Sequence, residues 1–127
     1  EYIEPEKLVE YAETTRSRGN IGIAYTYNEP LIGYEYVKDC ARLAKAKGLL
    51  NVVVTNGYVC EEPLLLLLPY IDAFNIDLKA FNNSFYRRIS GDIDTVKETI
   101  KIASKHAHVE VTTLIIPGEN DGENCNM

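Results

Sequence analysis

Short runs of β-branched and aromatic residues alternate with helical patterns along all 127 residues of this chain. The predicted strands are Ile21–Tyr27, Asn51–Thr55, Ala73–Lys79 and Val109–Ile116. Four helical regions cover residues 5–18, 31–47, 61–68 and, in two pieces, 85–89 and 95–106. This order is typical of an α/β protein with a parallel sheet, either an open doubly wound sheet or a barrel. A closed eight-stranded barrel takes about 250 residues, so the chain has room for about half of one.

The third predicted strand alternates apolar and polar side chains, which places them on opposite faces of a sheet. The apolar residues are Phe74, Ile76 and Leu78, and the polar residues are Asn75, Asp77 and Lys79. A parallel strand covered by helices on both faces would be nearly continuously apolar. The alternation therefore favours a partial (β/α) barrel of about four βα units, with helices outside and polar groups on the concave side.

Charge argues against two classes of partner. Thirteen Lys and Arg residues stand against nineteen Asp and Glu residues, which gives a net charge of −6. A chain of this composition lacks the basic surface that nucleic acids and anionic membranes require. The longest apolar run, Leu64 to Leu68, is closed by Pro69 and falls short of the ~20 residues that span a bilayer. We expect no nucleic-acid partner and no membrane partner.

The first residues and the cysteines indicate whether the chain is part of a longer protein and in which redox compartment it works. The chain starts at Glu1 without an initiator Met or the features of a secretory signal, so we interpret it as an internal piece of a longer chain. Cys40, Cys60 and Cys125 have neither metal-site spacing nor a disulfide framework. They predict reduced thiols in a cytoplasmic protein, and no metal ligands are assigned within this chain.

Polar residues follow the first two predicted strands. An acid and an amide at the end of the first strand, Glu29 and Asn28, suit the ammonium or hydroxyl group of a ligand, or they cap the following helix. Thr55 and Asn56 come at the equivalent place after the second strand. With Gly57 they form either part of a ligand site or a plain turn.

Among the local sequence patterns, Asp77 and Lys79 give the strongest indication of a functional site. They lie two residues apart on one predicted strand and share its polar face. An ion pair that points into a barrel is costly unless it is solvated or holds a ligand. Three interpretations remain open: ligand binding through both groups, a Schiff-base lysine at Lys79, and a structural ion pair.

Other segments carry weaker signals. The loop from Pro117 to Gly122 has three acceptor side chains but lacks the spacing of a calcium loop, so we expect it to be solvated. The nucleotide-binding, metalloprotease and serine-hydrolase motifs GxGxxG, GxxxxGK, HExxH and GxSxG are absent from the sequence.

Four segments, in order, strongly resemble the radical SAM superfamily. They are Gly22–Pro30 (GIAYTYNEP), Val53–Tyr58 (VVTNGY), Asn75–Phe81 (NIDLKAF) and Val111–Gly118 (VTTLIIPG). The chain is most similar to the AmmeMemoRadiSam system radical SAM enzymes, relatives of pyruvate formate-lyase activating enzyme. The resemblance runs from about Leu8 to about Asp121.

The resemblance implies an oxidoreductase that uses S-adenosylmethionine (SAM) and a 4Fe–4S cluster. Family members reductively cleave SAM to a 5′-deoxyadenosyl radical that abstracts hydrogen from a protein or small-molecule substrate. Tyr27, Asn28 and Glu29 occupy the place of the family's Gly-Gly-Glu-Pro segment, which engages the amino group of SAM. Thr55, Asn56, Asp77 and Lys79 match positions that line the SAM and substrate cavity, and no catalytic residue is assigned.

Three departures from the family pattern matter. The CxxxCxxC motif that binds the cluster is absent, Asn28 replaces a glycine, and Val54 stands where the activating enzyme has an acid. We therefore expect residues 1–127 to be the central part of a TIM-like radical SAM domain, with its N-terminal cluster-binding part and its C-terminal part elsewhere. The fragment alone is expected to bind no cofactor and to be inactive, and its uncovered strands to pair at an edge or dimerise.

Two alternative functions remain open for this chain. One is a βα-barrel lyase or aldolase that uses Lys79 as a Schiff base. The other is a non-catalytic ligand-binding module.

Overall fold

The computed structural model describes residues 2–81, 83–89 and 91–122, and these form a four-stranded sheet. The strands are β1 (Gly22–Tyr25), β2 (Leu50–Thr55), β3 (Ala73–Asp77) and β4 (His108–Thr112). They lie in chain order, and every neighbouring pair is parallel. The predicted α/β fold with a parallel sheet is confirmed. All four carboxyl ends consequently meet at one edge of the sheet, which is called the carboxyl edge below.

Helices connect the strands. They are α1 (Pro5–Thr14), α2 (Tyr34–Ala46), α3 (Glu61–Leu67), α4 (Asn83–Arg88) and α5 (Ile93–Ser104). Short 3₁₀ turns cover Arg16–Arg18, Pro30–Gly33 and Leu68–Tyr70. Prolines lie in the first turn of α1 and of two of these 3₁₀ turns, where the missing N–H costs no hydrogen bond.

The helices pack on one face of the sheet. Val53, Phe74 and Ile76 are at most 1% exposed and lie in one buried cluster with side chains of α2, α3 and α5. On the opposite face Asp77 is half-buried and Val54 is exposed. The predicted alternation of β3 is therefore confirmed, and the second face combines polar groups of β3 with apolar groups of β2.

β3 and β4 end two and four residues before the predicted ends, and β1 is likewise shorter than predicted. The Lys79 N–H donates to the Tyr86 hydroxyl at 2.9 Å, and the Ile116 N–H donates to Asn120 Oδ1 at 2.6 Å. Side chains thus take the backbone donors that longer strands would use in ladder pairing.

Asp92 caps the first turn of α5. Its carboxylate accepts from the Thr95 hydroxyl at 2.8 Å and from the Thr95 N–H at 3.0 Å. These two bonds, the hydroxyl one above all, hold the pKa of Asp92 below its ordinary value.

We expect the ionised Asp92 to stabilise the fold above about pH 4, where the same side chain is also ionised in the unfolded chain. This contribution should be lost as the pH falls through the lowered folded-state pKa. Acid-unfolding curves of wild type and Asp92→Asn measure it, because asparagine also caps helices but does not titrate. The variant should lose less stability on acidification, and identical curves would contradict the prediction.

None of the helices in the described ranges has the length and apolar character that a membrane crossing requires. Cys40 and Cys60 are free thiols, the first buried and the second exposed, whereas Cys125 lies outside the described residues. Burial raises the pKa of the Cys40 thiol, since it disfavours the charged thiolate.

Candidate functional site

The chain leaves β1 in an unusual conformation. Tyr27, Asn28 and Glu29 have φ values of 61°, 49° and 52°, so three successive residues with a Cβ are left-handed. This conformation costs roughly 1–2 kcal/mol per residue. It also explains why the first strand ends before Tyr27, whose side chain is 87% exposed. Such strain persists only where surrounding contacts hold it in place.

The Glu29 carboxylate supplies these contacts. Oε1 accepts from the Thr55 hydroxyl at 2.5 Å and from the Leu31 N–H at 3.3 Å, and Oε2 accepts from the Asn56 N–H at 2.8 Å. The bond to Leu31 confirms that Glu29 caps the following helical turn. The bonds to Thr55 and Asn56 join the ends of β1 and β2, so the structure brings these three predicted site residues together.

The half-buried Glu29 carboxylate retains binding capacity. A carboxylate offers about four acceptor positions, of which these bonds use three. The remaining position lies on Oε2, which accepts one bond from the described residues. A primary ammonium group is a suitable partner, because it donates up to three hydrogen bonds and neutralises the charge.

The loop after β2 forms a turn and also donates hydrogen bonds to the Glu29 carboxylate. Gly57 has a φ of +72°, and its N–H donates to the Thr55 hydroxyl oxygen at 3.1 Å. The Asn56 side chain accepts from the Tyr58 N–H at 2.9 Å, and the Asn56 backbone N–H donates to Glu29 Oε2 at 2.8 Å. The predicted turn is therefore present, and it presents two donors to the carboxylate of the neighbouring strand end.

Asp77 and Lys79 form an ion pair at the end of β3, on the face of the sheet opposite the helices. Their side chains are 35% and 39% exposed, so the pair is partly solvated. Next to them, Asn75 Nδ2 donates to the Thr112 hydroxyl at 2.9 Å, which joins β3 to β4. In the described part of the chain no hydrogen bond or ion pair connects Asp77 or Lys79 with Glu29. The carboxyl edge thus carries two separate polar groups.

Asn120 is a structural residue that the sequence analysis missed. The prediction of a solvated loop is wrong at this position, since Asn120 is only 5% exposed. Its Nδ2 donates to the carbonyls of Lys79 and Leu114, each at 2.8 Å. A polar residue between two turn glycines signals a loop, and only the distant acceptor on Lys79 reveals its role.

Asn51 is a second missed residue. It is fully buried at the start of β2, where its Nδ2 donates to the carbonyls of Ala41 and Tyr70, at 2.9 and 3.0 Å. The Tyr25 hydroxyl donates to Asn51 Oδ1 at 3.1 Å. Burial, and to a lesser extent the nearby Cys40, raises the pKa of Tyr25. An asparagine heading an apolar strand was the available signal in the sequence.

The family resemblance implies two cofactors, SAM and a 4Fe–4S cluster, and the described residues fit only SAM. Within 2–81, 83–89 and 91–122 no three His, Cys, Asp or Glu side chains lie close enough together to hold a metal ion. These residues therefore do not fit an iron–sulfur cluster, whose iron atoms take thiolate ligands. The open acceptor on Glu29 does fit the ammonium group of a methionine-type ligand.

Comparison with known proteins identifies the family. The profile described as the radical SAM superfamily matches residues 1–126. An uncharacterized protein of Methanocaldococcus jannaschii is 44% identical over 120 residues, covering 92% of this chain and 34% of that protein. Pyruvate formate-lyase 1-activating enzyme of Escherichia coli is 25% identical over 122 residues, covering 93% of this chain and 49% of that enzyme. The chain thus spans about a third to a half of these relatives.

Solved structures show the same fold. A domain of pyruvate-formate lyase-activating enzyme from Bacteroides vulgatus aligns with a TM-score of 0.70 at 20% identity, covering 81% of this chain and 66% of that one. A structure of TYW1 with a lysine-pyruvate adduct bound aligns with a TM-score of 0.64 at 21% identity, covering 94% of this chain and 43% of that one. With its partial-barrel fold and its match to the family profile over nearly its whole length, the chain belongs to the radical SAM superfamily.

Proposed function

We propose that this chain is the central part of a radical SAM enzyme related to pyruvate formate-lyase activating enzyme, and that Glu29 binds the amino group of SAM. The superfamily match and the 25% identity to the E. coli activating enzyme support this type of chemistry. A reduced 4Fe–4S cluster with SAM bound would supply radical chemistry for hydrogen abstraction from a substrate, and Glu29 would hold the amino group of SAM. Cluster ligands would come from another part of the parent protein, so the isolated chain is inactive.

The observation that carries the proposal is the way Glu29 is held. Its carboxylate is fixed by donors from β2 and from its own helical turn, yet Oε2 keeps one acceptor position. A fixed carboxylate loses little freedom when it binds an ammonium group, so more of the interaction contributes to affinity. In this arrangement Glu29 orients the methionine end of SAM, while Thr55 and Asn56 orient Glu29.

The other predicted residues would line the rest of the cavity. Asp77 and Lys79 lie at the same edge of the sheet on its polar face, where they can offer a carboxylate and an ammonium group to SAM or substrate. Tyr27 and Asn28 are exposed beside Glu29 and would border the ligand. We expect the substrate to be a protein or a small molecule. We also expect the parent protein to work in the cytoplasm, where thiols stay reduced.

Removing the charge of Glu29 should weaken SAM binding. In the full-length parent protein with its cluster, Glu29→Gln keeps the side-chain size but replaces a charge-assisted hydrogen bond. A hydrogen bond to a charged group is worth about 1.5–3 kcal/mol, so the dissociation constant of SAM should rise about 10- to 150-fold. Isothermal titration calorimetry measures the constant directly.

Glu35→Gln is the matched control. Glu35 is an exposed acid in the first turn of α2, so its variant removes the same charge a few residues away. It should bind SAM like the wild type, and thermal melts should show that both variants are folded. Equal SAM affinity of wild type and a folded Glu29→Gln would remove Glu29 from the binding site.

A further inference from the structure

We infer that Thr99 of α5 is a positioning residue for Glu29 and acts through Gly57 and Thr55. The inference rests on the proposed function of Glu29, and it adds to that function a residue on a helix outside the sheet. The four residues come from three elements that are distant in sequence. Their side chains and backbone groups nevertheless form one continuous chain of hydrogen bonds.

The chain of bonds begins on α5. The Thr99 side chain is 3% exposed, and its hydroxyl lies 2.8 Å from the Gly57 carbonyl oxygen. The carbonyl of Thr95, one turn earlier in the helix, lies at 3.1 Å. A hydroxyl has one proton to donate, and the shorter contact is the one that leaves the helix. Thr99 thus fixes the loop after β2 against α5, instead of bonding only to its own helix.

Gly57 is also seated by close packing. A Cβ at this position would lie 2.8 Å from Ile76 Cγ2 and 3.2 Å from Val96 Cγ1. The Gly57 backbone therefore lies directly on β3 and on the same face of α5 that carries Thr99. The Gly57 φ of +72° and the lack of space for a Cβ both restrict this position to glycine. The position of the loop after β2 relative to the sheet therefore depends on α5.

The Thr55 hydroxyl transmits this position to Glu29. Its oxygen accepts from the Gly57 N–H at 3.1 Å, so its own proton points away from that N–H and is donated to Glu29 Oε1. The Asn56 N–H, from the same loop, bonds Oε2. Both carboxylate oxygens are thus held by the loop that Thr99 fixes. Loss of this support lets the left-handed segment at Tyr27–Glu29 relax and moves the carboxylate.

The test removes the Thr99 hydroxyl in the full-length parent protein. Thr99→Val keeps the shape of the side chain and loses one hydrogen bond, which corresponds to about a 3- to 10-fold change in an equilibrium. The dissociation constant of SAM should rise by that factor. Amide hydrogen exchange at Asn56, measured without SAM, should accelerate by a similar factor, because its bond to Glu29 is weakened.

Two further variants separate positioning from general destabilisation. Thr99→Ser keeps the hydroxyl and should restore both SAM affinity and slow exchange at Asn56. Ala103→Gly destabilises the same helix at a buried site away from the loop, and it should change neither quantity. Should Thr99→Val not fold, Thr99→Ala takes its place with the same expected direction.

The two readouts distinguish the failure of this inference from that of the proposed function. Unchanged Asn56 exchange in Thr99→Val, or equal effects of Thr99→Val and Ala103→Gly, overturns the positioning role. Accelerated exchange without any change in SAM affinity supports the hydrogen-bond relay and contradicts the binding role of Glu29. Accelerated exchange together with weaker SAM binding, both reversed in Thr99→Ser, supports the inference.

Discussion

Gly22→Ala is expected to lower the free energy of unfolding by about 3 kcal/mol or more, at the upper end for overpacking. A Cβ at Gly22 would lie 2.2 Å from the Leu50 carbonyl oxygen and 2.8 Å from its carbon. These are backbone atoms of the strand directly paired with Gly22, so no side-chain rotation relieves the clash. Relief requires β1 and β2 to separate, and urea unfolding measures the loss.

Gly33→Ala is the matched control for this variant. Gly33 has a φ of −104°, and a Cβ there would meet no atom within 4 Å. We expect its effect to stay within about 0.5 kcal/mol of wild type, as for ordinary surface changes. Similar losses in the two variants would show that the close approach of β1 and β2 at Gly22 does not exist in solution.

Asn51→Leu should cost about 3–5 kcal/mol of unfolding free energy. Leucine has nearly the same size but removes the hydrogen bonds of Asn51 to the carbonyls of Ala41 and Tyr70 and from the hydroxyl of Tyr25. Each of the three lost hydrogen bonds is worth about 0.5–1.5 kcal/mol, and leaving the buried Tyr25 hydroxyl unsatisfied raises its share to about 1–3 kcal/mol. The Asn51 N–H keeps its bond to Asp72, so β2 should still begin at the same place.

A double-mutant cycle tests the cause of this loss. Tyr25→Phe removes the hydroxyl that Asn51→Leu leaves without an acceptor, so the double variant should lose about 1 kcal/mol less than the sum of the two single variants. Chemical unfolding of the four proteins gives the coupling energy. Additive losses would show that the buried Tyr25 hydroxyl does not depend on Asn51.

The sequence was sufficient for the features that depend on neighbours along the chain. In β3 the alternation of Phe74 and Ile76 with Asn75 and Asp77 identified the buried and polar faces, because side chains alternate wherever a strand forms. The parallel order of strands followed from the helical stretches between them. The contact of Glu29 with Thr55 and Asn56 follows from the same topology, since the carboxyl ends of parallel strands share one edge.

Features that depend on distant residues were missed. Asn51 bonds to carbonyls 10 and 19 residues away and Asn120 to the Lys79 carbonyl 41 residues away, and no local pattern encodes such partners. The predicted end of β4 was too late because Ile115 and Ile116 have strong β propensity, yet they are 51% and 40% exposed. Propensity describes the residue, whereas a strand also needs a partner on which to pair.

The left-handed segment Tyr27–Glu29 was also missed in the sequence analysis. Tyr27 is a typical strand residue, but its φ of 61° ends the strand. A glycine at position 28 would adopt this conformation at little cost and would signal the turn more clearly than Asn28 does. The three bonds to the Glu29 carboxylate are what make the conformation stable here.

The bonds that hold the chain at Lys79 end on its peptide groups. Tyr86 accepts from the Lys79 N–H, Asn120 donates to the Lys79 carbonyl, and Thr113 donates to the carbonyl of Leu78. Peptide groups stay the same when a side chain is replaced, so position 79 can change without loss of these anchors. Replacing the Lys79 side chain, one half of the ion pair with Asp77, should therefore leave the backbone at this strand end in place, so the chemistry of this part of the carboxyl edge can vary while the scaffold stays intact.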